Sequence, residues 1–367
     1  MAELLKNVFN KEFISTLSGI ILEVIPGFDS DSFSKKVLDL EWENKELKQR
    51  MSHIVFAMKF QMPEEYEKRI SILLALVENL KKKGFESTLE WMFLPEFIDD
   101  LEVEYFDLSV NALEKVTQFT TCEFAVRPFI LKYPEQMILQ MTKWASHENY
   151  RVRRLATEGC RPRLPWAMAL PFLKKNPKPI LPILEKLKKD SSLTVRRSVA
   201  NNLNDISKDN PQVVIEIIKK WIGKTEETDW VVKHASRTLL KQGNLEVMKL
   251  FGFGDIDELE IVNFKVNTSI VKIGEVLEFS FVLKNNNKAS TKLRLEYGLY
   301  YQKANGSLAR KVFKISEKVF NPNSFTEISK KQSFKVISTR KFHVGLHQVS
   351  IIINGVELNK LNFELKN

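Results

Sequence analysis

Carboxylate side chains are embedded in the most basic stretch of this 367-residue chain. Residues 141–205 carry 14 Lys and Arg against 5 Asp and Glu, and the acids include Glu158 and Asp205. Glu158 follows Arg154 by four residues and Asp205 follows Asn201 by four, so each pair shares one face of a helix. Such acids either pair with the arginines or stabilise a developing positive charge and orient water. Spacing alone leaves both interpretations open.

The arginines beside these acids recur along the chain. Val152-Arg153-Arg154 is repeated as Val195-Arg196-Arg197 after 43 residues, with a weaker echo at Val232-Lys233-His234. Offsets of about 40 residues with two helices each are typical of HEAT-type repeats, which stack into a solenoid. One interpretation places the basic pairs on a concave, phosphate-binding face. In the other they bridge to acidic turns of the neighbouring repeat, and one arginine of a pair could do each.

Positive charge is concentrated in two parts of the chain. The net charge of +10 includes −8 for residues 1–140, +9 for residues 141–205 and +8 for residues 256–367. A large polyanion that contacts both basic parts would explain this distribution. Solvated surface charge is the simpler explanation, so charge alone does not identify a partner.

Hydrophobic periodicity divides the chain into a helical part and a strand-rich part. Residues 70–80 carry apolar side chains at three- and four-residue spacing, and similar stripes continue to about residue 250. Residues 293–301 alternate apolar and polar side chains, and six or seven such segments separated by turns predict an immunoglobulin-type sandwich. We therefore predict a multidomain protein, with an all-α HEAT-like repeat solenoid over residues 1–252 and an all-β immunoglobulin-like sandwich over residues 258–367.

Several classes of protein are not expected. No segment approaches the run of about 18 apolar residues that a membrane-spanning helix needs. Glu3 and Lys6 lie within the first ten residues, which is unlike a secretory signal. The two cysteines are too few for a disulfide framework, and the five scattered histidines offer no metal-ligand spacing. We expect a cytoplasmic protein without membrane contact, metal or cofactor.

Long strings in the helical part resemble those of one protein family. They read TCEFAVRPFI at residues 121–130, RRLATEGCRPRLPWA at residues 153–167 and RRSVANNLNDISKD at residues 196–209. Together they resemble the AlkC branch of the AlkC/AlkD family of DNA alkylation-repair glycosylases. The resemblance covers the helical part from about residue 1 to 250. Some AlkC proteins also carry a C-terminal immunoglobulin-like domain, as the strand pattern here suggests.

The resemblance implies an activity and a mode of DNA binding. The family hydrolyses the N-glycosidic bond of bases methylated on ring nitrogens, typically 3-methyladenine and, in the AlkC branch, 3-methylcytosine. Its members hold bent double-stranded DNA with HEAT-like repeats and do not swing the lesion into a deep pocket, unlike most glycosylases. The extra domain is implied to embrace the duplex from the other side. The expected protein is a monofunctional glycosylase that acts as a monomer without metal or cofactor.

The resemblance also implies roles for individual residues. Asp205 and Glu158 would flank the lesion nucleotide, and Glu123 would lie beside them or contact the cationic base. Trp166 would face the lesion sugar or base, since an aromatic ring attracts a cation by about 0.5–2 kcal/mol. The residues expected to contact DNA phosphates are Arg154, Arg161, Arg163, Arg197 and, as a short polar helper, Asn201.

Each of these residues also has a structural interpretation. The acids could be ion-pair partners of the surrounding arginines, and Trp166 could pack in a core between prolines. For the whole chain, the alternative to an enzyme is a non-catalytic HEAT-repeat scaffold that binds nucleic acid or an acidic protein. The sandwich alone could be a protein-interaction module. Its candidate DNA contacts are the basic pairs Arg310-Lys311, Lys330-Lys331 and Arg340-Lys341.

Overall fold

The computed structural model describes residues 4–99, 101, 103–336 and 341–367. The α-helices there are α1 (Lys11–Val24), α2 (Ser30–Val37), α3 (Leu47–Lys59), α4 (Tyr66–Lys82), α5 (Phe106–Thr117), α6 (Val126–Lys132), α7 (Pro134–Trp144), α8 (Tyr150–Glu158), α9 (Pro171–Lys175), α10 (Leu181–Leu187), α11 (Leu193–Ile206), α12 (Pro211–Trp221), α13 (Glu226–Ala235), α14 (Arg237–Lys241) and α15 (Leu245–Leu250). Short 3-10 helices lie at Leu5–Val8, Trp42–Asn44, Leu89–Phe97, Val103–Tyr105 and Lys178–Ile180.

The chain forms two compact units. Unit 1 comprises Met1–Asn210 and Trp221–Ala235, and unit 2 comprises Pro211–Lys220 and Ser236–Asn367. Unit 2 therefore contains α14, α15 and most of α12 in addition to the strands. The predicted limits at residues 252 and 258 lie between the last helix and the first strand. As limits of independent domains they stay a prediction.

Neighbouring helix pairs stack in unit 1. Helix α11 packs against both α8 and α13, while α7 packs on α8 and α10 packs on α11. The valines that open the three repeated motifs, Val152, Val195 and Val232, are all fully buried between these helices. Equivalent motif positions thus bury the same side chain one repeat after another, and the predicted HEAT-like repeats are confirmed.

The first arginine of each repeated pair holds a turn between helices. Arg153 on α8 donates to both carboxylate oxygens of Asp190, at 2.6 and 3.0 Å, in the turn that precedes α11. Arg196 on α11 donates to the carbonyl oxygens of Asp190 at 2.6 Å and Ser191 at 3.1 Å. The predicted bridge to an acidic turn of the neighbouring repeat is therefore confirmed for Arg153. The second arginine of each pair is left for other contacts.

Unit 2 contains a two-sheet sandwich. Its strands are β1 (Leu259–Val266), β2 (Ile270–Lys272), β3 (Val276–Asn285), β4 (Thr291–Gln302), β5 (Leu308–Phe320), β6 (Ser324–Ser333), β7 (Gly345–Ile353) and β8 (Val356–Lys366). One sheet has the order β1-β3-β6 and the other has the order β2-β8-β7-β4-β5. All neighbours are antiparallel except β2 and β8, which are parallel.

Alternating side chains of both sheets form the core of the sandwich. Phe279 and Phe281 of β3, Leu295 and Leu299 of β4 and Ile351 of β7 are all buried there. The predicted immunoglobulin-like sandwich is thus confirmed, with eight strands among the described residues where the sequence predicted six or seven. The short strand β2 has only three residues, too few to show an alternating pattern.

Candidate active site

One guanidinium connects two of the predicted acids at the ends of two stacked helices. Glu158 is the last residue of α8, and Asp205 lies in the last turn of α11. Arg161 donates from Nη1 to Glu158 Oε1 at 2.6 Å and from Nε to Asp205 Oδ2 at 2.8 Å. The exposed fractions of the three residues are 5% for Glu158, 2% for Asp205 and 7% for Arg161. The two acids therefore share a buried cation.

Each of these carboxylates also has a second donor. Ser198 Oγ donates to Glu158 Oε2 at 2.5 Å, and Lys208 Nζ donates to Asp205 Oδ1 at 2.9 Å. Burial opposes protonation of Arg161, but the charges of Glu158 and Asp205 prevail and raise the pKa of its guanidinium. A guanidinium that stays charged offsets the cost of burying two carboxylates. Because two donors hold each carboxylate, the positions of Glu158 and Asp205 are fixed.

The third predicted acid joins the same cluster through a second arginine. Arg154 Nη2 lies 2.6 Å from Glu123 Oε2 and 3.8 Å from Glu158 Oε1. Glu123, Arg154, Glu158, Arg161 and Asp205 therefore follow one another as alternating acids and bases, and we call them the acid–arginine row. The structure brings together all three predicted acids and two of the predicted arginines.

The guanidinium of Arg161, a predicted phosphate contact, is bound to the acids of the site. A phosphate contact needs a guanidinium that faces solvent, whereas this one is buried and donates to both acids. The sequence contained the relevant signal, since Arg161 follows Glu158 by three residues, a spacing at which side chains meet near a helix end. The geometry therefore matches the ion-pair interpretation of Arg161, and its predicted contact with a DNA phosphate stays a prediction.

A fully buried arginine that the sequence did not single out anchors the segment after α8. Arg127 on α6 donates to the carbonyl oxygens of Gly159, Arg161 and Met168 at 2.8, 2.9 and 2.7 Å. Burial lowers the pKa of Arg127 to about 10. Gly159 permits this close packing, because a Cβ there would lie 2.7 Å from a side-chain carbon of Val126. Three backbone carbonyls around the row are thereby fixed by one side chain.

Trp166 lies at the surface in a strained backbone conformation. Its side chain is 61% exposed and its φ is +62°, in the left-handed region that disfavours side chains of this size. Its carbonyl oxygen accepts a hydrogen bond of 3.0 Å from Lys48 on α3, another contact that the sequence did not predict. Core packing, the structural interpretation of Trp166, is wrong. Strain of this kind is retained mainly at functional sites, so the exposed ring is a candidate contact surface.

Two substitutions of Trp166 test whether the backbone is strained. We expect Trp166→Gly to be more stable than Trp166→Ala by about 1 kcal/mol, because glycine adopts a positive φ without steric cost. The order is the reverse of that in a helix interior, where glycine is the less stable residue. Urea denaturation of the two variants would measure the difference. Equal stabilities, or a more stable alanine variant, would show that the backbone carries no strain.

The remaining predicted DNA contacts differ in accessibility. Arg163 donates from Nε and Nη2 to the two carboxylate oxygens of Asp209, at 2.8 and 2.6 Å. This bidentate pair raises the pKa of Arg163 and lowers that of Asp209. Arg197 is exposed and forms no ion pair with any residue in the described part of the chain, and Asn201 is half-buried. Contacts between these three residues and DNA stay predictions.

Two of the three basic pairs predicted as DNA contacts in unit 2 contain one residue with an acidic partner. Arg310 lies 3.1 Å from Glu357, and Lys331 lies 2.5 Å from Glu278. Arg340 lies outside the described residues. The geometry does not single out one pair, and their predicted role stays a prediction.

The described residues contain no cluster of side chains suited to metal binding and no reactive thiol. Within the described ranges, no three His, Cys, Asp or Glu side chains are placed to hold a metal ion. Nor does any helix in those ranges have the length and apolar character needed to cross a membrane. Cys122 and Cys160 are free and buried, and burial raises the pKa of the Cys160 thiol to about 12. Neither thiol is placed to act as a nucleophile.

Known proteins share both parts of this architecture. Residues 62–239 match the family model of the DNA alkylation repair enzymes, and residues 260–367 match the model of the C-terminal Ig-like domain of the protein YhaZ. The uncharacterized protein YhaZ of Bacillus subtilis strain 168 is 39% identical, over 98% of this chain and 99% of that protein. A solved structure of the Pseudomonas fluorescens alkylpurine DNA glycosylase AlkC, bound to DNA containing an abasic site analogue, is 34% identical with a TM-score of 0.93, over 100% of both chains.

The fold and the clustered acids and arginines show the general class of this protein. The class is that of helical-repeat proteins with an appended immunoglobulin-like domain and a cluster of acids and arginines on the repeats. Since a full-length relative is 34% identical and the repeats match the repair-enzyme model, the chain belongs to the AlkC branch of the DNA alkylation-repair glycosylases. The resemblance found in the sequence strings is confirmed.

Proposed function

We propose that this protein is a monofunctional DNA glycosylase that removes cationic N-methylated bases, 3-methyladenine and 3-methylcytosine, from double-stranded DNA. Methylation of a ring nitrogen gives the base a positive charge, which makes it a good leaving group without an added proton. Its departure leaves a sugar with positive charge at C1′, which water must capture. The site therefore has to supply negative charge near C1′ and to orient one water molecule.

The acid–arginine row is the observation that carries this proposal. Arg161 and a second donor hold each of Glu158 and Asp205, so neither carboxylate has to be reoriented as charge develops on the sugar. A groove that only binds phosphates gains nothing from buried acids beyond ion pairing. We assign Asp205 and Glu158 to the two sides of the lesion nucleotide, with Glu123 beside them or against the cationic base.

The proposed reaction is a single hydrolysis at C1′. The bond from C1′ to the base nitrogen breaks, and its electron pair neutralises the cationic base. The oxygen of water bonds to C1′, and one of its protons passes to a carboxylate of the row and then to solvent. The products are the free base and an abasic site, and the step needs no metal or cofactor.

Recognition of the base relies on its charge. The exposed ring of Trp166 can contact a cationic base or the developing sugar cation, an attraction of about 0.5–2 kcal/mol. Contact with a ring at the protein surface does not require the base to enter a deep pocket. This is consistent with a lesion that is not fully flipped out of the duplex. Because the methylated base is already activated, its own instability supplies much of the discrimination.

The absence of a second, strand-cleaving activity is part of the proposal. A lyase step needs an amine with an unshared electron pair to attack C1′ of the abasic site. Lys208 is the lysine that contacts Asp205, and because its Nζ is held 2.9 Å from that carboxylate we assign it no nucleophilic role. We further propose that the protein acts as a monomer in the cytoplasm, where its two free, buried cysteines would remain reduced.

Release of free base from methylated duplex DNA tests the proposal. We expect 3-methyladenine and 3-methylcytosine to appear in the soluble fraction, with abasic sites that alkali converts to strand breaks. Borohydride should trap no covalent complex between protein and DNA, because no imine forms. DNA binding that depends on salt but releases no base would favour the non-catalytic scaffold. A borohydride-trapped complex would contradict the monofunctional assignment.

A further inference from the structure

The loop between α8 and α9, which carries Trp166, is held at both ends by one side chain. Arg127 donates to the carbonyl oxygens of Arg161 and Met168, one on each side of Trp166. The tip of the loop, residues 164–167, lies between these two anchors. It needs support of its own, because a positive φ at a tryptophan is retained only where the surrounding structure imposes it.

Lys48 supplies this support. Its Nζ donates to the carbonyl oxygen of Trp166 at 3.0 Å, although the two residues are 118 positions apart. Among the residues that the structure describes, Lys48 is the one side chain with a hydrogen bond to residues 164–167. The same ammonium lies 4.8 Å from the centre of the Phe124 ring. Since Phe124 follows Glu123, Lys48 connects the tip of the loop with the segment that carries an acid of the acid–arginine row.

The position of Lys48 in its own helix does not stabilise that helix. Lys48 is the second residue of α3, and the helix dipole disfavours a positive charge in the first turn. Helix α3 also lies before residues 62–239, the part of the chain that matches the repair-enzyme family model. The contact of Lys48 with Trp166 therefore brings a helix from outside that part to the candidate active site.

We propose that Lys48 is a positioning residue for base excision, which keeps the ring of Trp166 oriented toward the lesion. This inference rests on the proposed function, because Lys48 acts through the ring that contacts the cationic base or the sugar. Without the ammonium, the backbone of Trp166 is free to return to a negative φ, and the ring then leaves its orientation. The ring and not the lysine meets the lesion, so the rate of base release depends on Lys48 while the salt dependence of DNA binding does not.

Lys48→Met tests this role, because methionine keeps most of the side-chain length and removes the donor and its charge. We expect the release of 3-methyladenine to slow about fivefold, within the range that one contact between a ring and a cation supplies. In a Trp166→Ala background the same substitution should change the rate by less than about twofold, since no ring remains to be positioned. Lys48→Arg keeps a donor and should recover most of the rate. An equal loss in both backgrounds would show that Lys48 acts through the fold, and would overturn the proposal.

Lys292→Met is the matched control. In unit 2, Lys292 Nζ donates to the carbonyl oxygen of Phe251 at 2.9 Å and lies 5.0 Å from the centre of the Phe253 ring, so it makes the same two kinds of contact as Lys48. The control should release base at the rate of the parent protein. A loss of rate as large as that of Lys48→Met would contradict a specific role for Lys48.

The fluorescence of Trp166 tests the same contact without DNA. Of the six tryptophans, Trp166 and Trp230 are 61% and 36% exposed, and the other four are at most 4% exposed. In a Trp230→Phe background, Lys48→Met should add a fast nanosecond component to the anisotropy decay of the exposed tryptophan, and Lys292→Met should not. If this component appears but the parent protein releases no base, only the glycosylase proposal fails. If Lys48→Met releases base at the parent rate and the component is absent, only the positioning proposal fails.

Discussion

Asp205→Asn should reduce the rate of base release by about 10²–10³-fold while DNA affinity changes by less than about twofold. The substitution keeps the shape of the side chain and an oxygen for Arg161, but it removes the negative charge that would face the sugar cation. Charge that is fixed before the reaction contributes most when the sugar cation forms and little when DNA binds. Single-turnover release of 3-methyladenine, with protein in excess over duplex, would measure the effect.

Asp190→Asn is the matched control for this experiment. Asp190 is also an aspartate whose side chain is buried and held by an arginine of a repeat motif, and Arg153 Nε lies 2.6 Å from it. It belongs to the turn before α11 and is not part of the acid–arginine row, so the control variant loses a buried ion pair without losing charge at the site. A loss of rate as large for Asp190→Asn as for Asp205→Asn would mean that both act through folding. Full activity of Asp205→Asn would remove Asp205 from the reaction.

Local sequence patterns were sufficient to predict the architecture and to select the three acids that the structure brings together. The 43-residue offset between the Val-Arg-Arg motifs predicted stacked repeats, because equivalent valines must be buried in each repeat. Glu123, Glu158 and Asp205 could be chosen since they stand in long strings characteristic of one family. Alternation of apolar side chains predicted the sandwich, although three-residue β2 is too short to be detected in this way.

The features that the sequence did not predict depend on tertiary contacts. Arg127 is as far as 41 residues from the carbonyl oxygens that it binds, and nothing in its local sequence indicates that an arginine there is fully buried. The positive φ of Trp166 and the Lys48 that binds its carbonyl depend on packing between distant segments. The inclusion of Pro211–Lys220 and residues 236–250 in the sandwich unit likewise depends on contacts that helical periodicity does not reveal.

Substitution of Arg161 distinguishes two roles for this residue, the predicted phosphate contact and the buried ion pairs with Glu158 and Asp205. Arg161→Met leaves Glu158 and Asp205 buried without their shared cation, so we expect a loss of stability of about 3–5 kcal/mol and a large loss of activity. Arg161→Lys keeps the charge and should restore part of both properties.

Arg163→Met is the control, because Arg163 forms its ion pair with Asp209 at the surface, where such pairs contribute about 0–1 kcal/mol. It should change both stability and activity little. If Arg161 contacted phosphate, Arg161→Met would instead reduce the salt dependence of DNA binding by about one phosphate while stability stayed normal. Three measurements on the three variants distinguish these outcomes: urea denaturation, the rate of base release, and DNA affinity against salt concentration. A buried cation that orients two acids predicts a change in the first two measurements and little change in the third.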